Sequence, residues 1–309
     1  MALNPETTSS LSNHLSTYYE KRFLDRLLVK FHFEKFGMKK VLPKGEGKVI
    51  RWNRWANVDE NVTPLTEGVS PDGVNLTSTQ IEATVAGYGQ FASATDFLVM
   101  TAINDTLSDY IDLLGYAAGK SLDALVRNEV DANGTNQFAN GLANAAAVQA
   151  DSTAVLTAEE IRKAVKTLRA ADVDEWDDGL FRAIIHPFGE FDLLSEDAAG
   201  SAIQTVQHTD YGPIAKGLIG SLYGVMFFRS SHIRAVAPNT NVYRHCVIGR
   251  NAYGLVDLES AQTKIITKQL GSGGTEDPLD QRATVGYKFY YATKMLDAQR
   301  VIVINAYGA

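Results

Sequence analysis

Gly119-Lys120-Ser121, with Gly115 upstream, has the residue types of a phosphate-binding loop, in which backbone amides cradle phosphates and a lysine reaches them. The spacing is one residue short, and the segment falls inside a helical apolar pattern rather than between a strand and a helix. Nucleotide binding there is not expected. Gly271-Ser272-Gly273-Gly274 has no following lysine and no helix to open, so it reads as a turn. The acidic run Asp172, Asp174, Glu175, Asp177 and Asp178 is dense enough for a cation loop. It lacks alternate-position spacing and a closing bidentate glutamate, so it reads as a solvated turn. The six histidines, at 14, 32, 186, 208, 232 and 245, never fall at metal-ligand spacing. His186 stands before Pro187 at the end of an apolar run, where catalytic residues are often found, but a capping or packing role is expected. Cys246, beside Val247 and Ile248, reads as a core residue. No serine stands in a nucleophile elbow. Asn61, Asn75 and Asn133 match glycosylation sequons, but without a secretory signal they read as chance matches. The expectation is therefore no catalytic residue, no cofactor and no metal.

The elements around these residues are more informative. The 309 residues suffice for two domains with their own cores. A single cysteine excludes an internal disulfide and suggests assembly in a reducing compartment. No run of about 18 apolar residues and no signal-peptide core is present, so a soluble protein with no membrane contact is expected. The net charge of −7 is uneven. Eleven Lys and Arg against five acids stand in residues 1–55, leaving the remainder acidic. A basic arm on an acidic body fits either nucleic acid or the acidic surface of a neighbouring copy.

Between 104 and 133, Leu107, Ile111, Leu114, Ala118, Leu122 and Leu125 continue three-and-four steps from Ile103. No proline interrupts them. This predicts one helix of about 27 residues and about 40 Å, begun by Asn104 or Asp105 and stopped by a left-handed Asn133-Gly134. Such a length suits a strut across a whole domain. A helix over 12–30 with Leu15, Tyr19, Phe23, Leu27 and Leu28, followed by Phe31, Phe33 and Phe36, carries more apolar surface than an extension can cover alone. Residues 48–55 (KVIRWNRW) read as a strand, 63–73 as turn chemistry, and 76–85 then 87–94 as the return: an extended hairpin around a long polar tip. Residues 134–150 read as loop or weak helix, and Thr157 with Glu160 as a capping box for a helix to about 171. Strands are expected at 181–185, 222–229, 242–249, 255–258, 264–268, 283–293 and 300–305, with Val285, Tyr287, Phe289 and Tyr291 alternating on one face. Helices and strands segregate in part, which gives an α+β class.

Several blocks are familiar as a set. They are Phe36-Gly37, the tip Pro64-Leu65-Thr66-Glu67-Gly68, Tyr88-Gly89 and Ile184-Ile185-His186-Pro187. Then come IGSLYGVMFF at 219–228, and Asp277-Pro278-Leu279-Asp280-Gln281 followed by Val285-Gly286-Tyr287-Lys288. In this order they resemble the major capsid proteins of tailed bacteriophages, in particular the family of the N4-like podovirus coat protein.

The resemblance implies an N-terminal arm (1–40), an extended loop and the start of the peripheral domain (41–96), and a peripheral domain with a long spine helix (97–151). An axial domain (152–250) and return strands of both domains (251–309) follow. It implies a structural virion protein that self-assembles as hexamers and pentamers into an icosahedral capsid in the bacterial host cytoplasm. That capsid encloses double-stranded DNA without sequence-specific binding, together with a separate scaffolding protein, a portal and cement proteins. Trp52, Trp55, Pro64, Leu65 and Glu67 of the hairpin, and Lys21, Arg22, Phe23, Arg26 and Lys30 of the arm, are the expected subunit-interface residues. A cellular nanocompartment shell of the same fold, or a soluble α+β enzyme centred on His186, are the alternatives.

Overall fold

The computed structural model describes residues 32–58, 60–70, 73–102, 106–195, 220–237, 240–259, 263–272 and 277–308. The expected helix over 12–30 and its five candidate interface residues, and the expected start of the long helix at 104 or 105, lie outside them.

The first strands are β1 (Met38–Leu42), β2 (Val49–Trp55), β3 (Ser78–Thr84) and β4 (Ala86–Thr95), with a short helix α1 (Asp96–Thr101). The predicted long helix follows as α2 (Thr106–Asn133). Next come β5 (Thr135–Phe138), α3 (Ala145–Ala150), α4 (Ala158–Ala170), β6 (Phe181–Ile185) and α5 (Pro187–Ser195). The remaining strands are β7 (Ser221–Leu222), β8 (Val225–Arg229), β9 (Val242–Ile248), β10 (Tyr253–Leu258), β11 (Lys264–Lys268), β12 (Arg282–Met295) and β13 (Val301–Tyr307).

Two sheets share α2. The first has the order β1-β10-β12-β11, with β4 also paired to β12. Its inner face is the predicted alternation: Val285, Tyr287, Phe289 and Tyr291 are buried against Ile111, Leu114, Ala118 and Leu122 of α2. The second has the order β5-β13-β9-β6-β8-β7. Here β13 reads Val301-Ile302-Val303-Ile304 without alternation because both faces are covered. Val301 and Val303 face the first core with Val126 and Val130 of α2. Ile302 and Ile304 face a second core with Ile161, Ala164, Val165 and Leu168 of α4. Each such side chain contributes ~1.5–3 kcal/mol of burial, so a polar residue in either register would cost a core contact. Thr157 caps α4 as expected, its Oγ1 accepting from the Glu160 amide at 3.4 Å. The reciprocal half of the box is replaced: the Glu160 carboxylate turns inward and accepts from Gln137 Nε2 at 2.7 Å and Lys163 Nζ at 2.9 Å.

Four expectations change. Gly134 is not a left-handed stop, since its φ is not positive. It is a close-approach residue: a Cβ there would lie 2.7 Å from Val303 Cγ2 and 2.9 Å from the Val130 carbonyl. Residues 134–150, expected as loop or weak helix, do hold the short helix α3, but they also hold β5, which runs parallel to β13 and joins the second sheet. This strand pairing puts the passage from α2 to the second sheet at Gly134. The return of the hairpin is β3 only, whose Thr84 pairs with Val49 and Ser78 with Trp55. β4 belongs to the first sheet, paired with β12 from Thr95↔Arg282 to Ala86↔Tyr291.

Candidate subunit-contact surface

Of the residues singled out for chemistry, His14, His208, Gly273 and Gly274 lie outside the described residues. Gly119-Lys120-Ser121 lies in the middle of α2, where Ser121 Oγ donates to the Ala117 carbonyl at 2.7 Å. Cys246 is fully buried, and burial pushes its thiol well up from the ordinary range. Four of the five acids of the run form separate ion pairs: Asp174–Arg300 at 2.9 Å, Glu175–Arg169 at 2.9 Å, Asp177–Arg250 at 2.5 Å and Asp178–Arg182 at 2.9 Å. Among the described residues no group of three or more His, Cys, Asp or Glu could hold a metal ion.

His186 caps the turn after β6, its Nδ1 accepting from the Phe188 amide at 3.3 Å while its ring stacks on Tyr243 at 4.1 Å. A second histidine, distant in sequence, lies under it. The His186 amide donates to His245 Nδ1 at 3.2 Å. His245 is buried, and desolvation with the neighbouring His186 pushes its pKa down to about 3. Burial also lowers His186. Two neutral imidazoles, one serving as acceptor for the backbone of the other, make a structural joint between β6 and β9.

The hairpin divides into a packed base and an unpacked tip. At the base Trp52 is only 8% exposed and sits with Leu42, Ile50, Ala83, Val256 and Ala292. Its ring needs the absence of a side chain at Gly254, where a Cβ would be 2.6 Å from Cζ2. The expected interface role of Trp52 is therefore corrected: it is core of its own chain. Strand geometry gives the reason. Trp52 and Trp55 are three apart, so they point to opposite faces of β2, and one surface cannot take both. Ile50 and Trp52 face inward, while Arg54, on the same face but half exposed, pairs with Asp297 at 2.9 Å. Trp55 is 63% exposed.

Beyond Trp55 the chain runs out to Leu65, 73% exposed, and back, with Val58, Val62, Val69, Val74 and Leu76 also exposed. Pro64 and Glu67 lie in the same exposed stretch. The tip is held by turns, the Val69 amide donating to the Thr66 carbonyl at 3.1 Å and the Thr63 amide to Asn61 Oδ1 at 3.0 Å. Among the described residues the large apolar side chains of the tip are left uncovered by the chain itself. Such clustering of exposed aliphatics marks a contact surface.

The chain enters the described region through another anchor. Asp123, fully buried in mid-α2, accepts from the His32 amide at 3.1 Å and the Phe33 amide at 2.9 Å through Oδ1. Tyr253 Oη donates to the Phe33 carbonyl at 2.5 Å. Sequence reading missed Asp123, although an acid beside Leu122 and Val126 on the apolar side of a helix is the available signal.

The model of the phage capsid protein family matches residues 78–304 of this sequence. The chain belongs to the phage capsid protein family. Solved capsids share its fold. The capsid structure of cyanophage P-SCSP1u has a TM-score of 0.66 at 16% identity, over 90% of this chain and 89% of that one. The cyanophage Pam1 capsid has 0.65 at 15%, over 86% and 87%. The acid-stable capsid of Helicobacter pylori bacteriophage KHP30 has 0.64 at 12%, over 90% and 92%. No curated protein matches. A phage capsid protein with this architecture has a structural, major-capsid role in the virion and is not an enzyme. The soluble-enzyme alternative is set aside with it.

Proposed function

We propose that this capsid protein assembles, as hexamers and pentamers of itself, into the icosahedral shell of a tailed phage related to the N4-like podoviruses. The shell encloses double-stranded DNA through contacts without sequence preference and is built in the host cytoplasm with a separate scaffolding protein and a portal. The first sheet with α2 forms the peripheral domain and the second sheet the axial domain. The hairpin tip lies on the next subunit, with Trp55, Pro64, Leu65 and Glu67 in the contact. The single observation that carries this reading is the tip, whose apolar side chains extend from a base already packed by Trp52. The arm residues Lys21, Arg22, Phe23, Arg26 and Lys30 are assigned to a neighbouring subunit as well, because the aromatics interleaved with the cations, Tyr18, Tyr19 and Phe23, favour a packed surface over a mobile polyanion.

The test is negative-stain microscopy of the purified chain, alone and with its scaffolding protein. Closed shells are expected, and Leu65→Ser with Trp55→Ser should leave a folded chain that does not close them. A double variant that forms normal shells refutes the tip assignment. Nuclease-protected DNA in native particles separates a virion from a nanocompartment shell.

A further inference from the structure

Ile161, Ala164 and Leu168 turn the inner side of α4 to the core. Arg162, Lys166 and Arg169, four and then three positions apart, therefore share its exposed side over about 10 Å at 1.5 Å per residue. The turn between β7 and β8 lies against them. Together they enclose a groove of about 330 Å³ lined by Arg162, Val165, Lys166, Arg169, Tyr223 and Gly224. Leu222 pairs with Val225, which leaves a two-residue turn with φ of 53° at Tyr223 and 80° at Gly224. Both residues are left-handed, as so tight a hairpin requires. Glycine suits this conformation, and a Cβ on Gly224 would lie 2.9 Å from Arg169 Nη2. Tyrosine does not suit it, and a strained residue of this kind persists where its side chain has a task. Here the Tyr223 ring lies beneath the Arg162 guanidinium, 5.2 Å from ring centroid to Cζ.

The groove is cationic on a chain whose net charge is −7, and no acid lines it. The contrast with Lys163 on the same helix is sharp. Lys163 stands outside the groove and is bound by two carboxylates, Glu159 at 3.0 Å and Glu160 at 2.9 Å. Glu159 also feels Arg162, but its carboxylate is held by Lys163. Among the described residues no carboxylate forms an ion pair with Arg162 or Lys166, and Arg169 has Glu175 at 2.9 Å. Two planar guanidiniums and an ammonium are thus set around one groove with a single acid among them. A lone carboxylate would answer one of these cations. A phosphate group presents several oxygens at once, which arginine forks take two at a time while lysine adds a point charge. We infer that the groove between α4 and the β7–β8 turn binds phosphate groups, with Arg162, Lys166 and Arg169 on their oxygens. A DNA backbone and free polyphosphate share this chemistry. All the residues belong to one subunit, so the site does not depend on how subunits meet.

The experiment measures anion binding by the unassembled full chain with sodium tripolyphosphate, a short DNA duplex and poly-L-glutamate at matched ionic strength. R162Q with K166Q should weaken tripolyphosphate binding about tenfold, the size of a lost charge-assisted contact. K264Q with K268Q removes the same charge from exposed β11 and should change binding less than about twofold. Melting curves of the parent and the groove variant should coincide, since both side chains are exposed. Tyr223→Gly supplies a second variant with opposed effects. It should not lower the melting temperature, because glycine suits the turn, yet it should weaken binding, because the ring beneath Arg162 is gone. The duplex separates the two sources. A DNA site binds it, and R162Q with K166Q lowers the slope of log affinity against log salt by about 1.8, two phosphate contacts at ~0.9 each. A site for free polyphosphate leaves duplex binding equal in parent and variant while tripolyphosphate binding falls. Either result supports the site. Tripolyphosphate binding unchanged by R162Q with K166Q or by Tyr223→Gly, an equal loss in the β11 control, or poly-L-glutamate bound as tightly as tripolyphosphate overturns it.

Discussion

Trp52 and Trp55 stand three positions apart on β2, on opposite faces and in opposite roles, and replacing each by alanine should resolve them. Trp52→Ala removes a ring packed on Gly254, Val256 and Ala292 at the hairpin base. Truncation of a buried aromatic costs 3–5 kcal/mol where the surroundings cannot collapse. This cluster is small and lies at the edge of the molecule, so the low end applies, about 3 kcal/mol. No hydrogen bond adds to the loss, and removing the buried Trp52 Nε1, which has no partner, offsets part of it. Trp55→Ala exchanges a largely solvated ring and should change stability by no more than about 0.5 kcal/mol. The assay is thermal unfolding of the unassembled chain beside particle counts at matched concentration. Trp52→Ala should lower the melting temperature, while Trp55→Ala should leave it and reduce closed shells. Equal melting temperatures for the two variants would refute the assignment of Trp52 to the core. An unaltered particle count for Trp55→Ala would refute its assignment to the contact.

Asp123→Ala should cost roughly 2–4 kcal/mol in denaturant unfolding, because two amides at 32 and 33 lose a buried carboxylate acceptor; a loss under about 1 kcal/mol, the size of an ordinary hydrogen bond, contradicts the anchor. Gly134→Ala should destabilise by about 1–3 kcal/mol through overpacking against Val303, and a stabilised variant, as expected for a freed helix end, contradicts the close-approach reading. His245 is held neutral with a pKa of about 3, below its unfolded value near 6.5. The unfolded chain therefore binds more protons between these values, and this residue's contribution to stability falls as pH drops through that window. Asp131 works against it: burial raises its pKa to about 6, so its penalty is relieved by acid as pH falls below that value. His245→Asn, which can keep the acceptor for the His186 amide, should lose less stability than the parent on going from pH 7 to about pH 4; parallel pH profiles by thermal unfolding refute the assignment to His245.

The parts of the fold legible in the sequence are those in which one periodicity meets one buried face. The stripe of α2, the alternation of β12 and the apolar runs of β6 and β13 are of this kind. The parts that were not legible draw their stability from partners distant in sequence. β1 reads Met-Lys-Lys-Val-Leu with only Leu42 buried, because it is an edge strand parallel to β10. β5 is polar and exists because β13 offers it an edge. Gly87 and Gly89 in β4 suggest an interruption, yet the strand continues through them against β12. The charge asymmetry was legible but misplaced. Only Lys21, Arg22, Arg26 and Lys30 of the eleven cations precede residue 32, against Glu6, Glu20 and Asp25. Most of the excess lies on β1, β2 and the turn between them, where Lys39 pairs with Glu34 at 2.8 Å and Arg51 with Glu82 at 2.7 Å. Of the candidate interface, the tip was visible as turn chemistry. The face-to-face opposition of Trp52 and Trp55 was available from period-two geometry but not applied.

Solved capsids share this fold at 12–16% identity, and the two kinds of residue described above explain how. What the shell fold demands is a pattern: a long apolar stripe on α2, alternation on β12, apolar residues on both faces of β13. Exchanges among apolar residues of similar volume cost under about 1.5 kcal/mol, so the pattern survives while identities drift. A contact between copies has a different requirement. It must be complementary only to its own partner surface, and both surfaces are encoded in one chain, so they can change together without passing through a mismatched neighbour of another sequence. The residues that make such a contact need not recur in other capsids for the fold to recur.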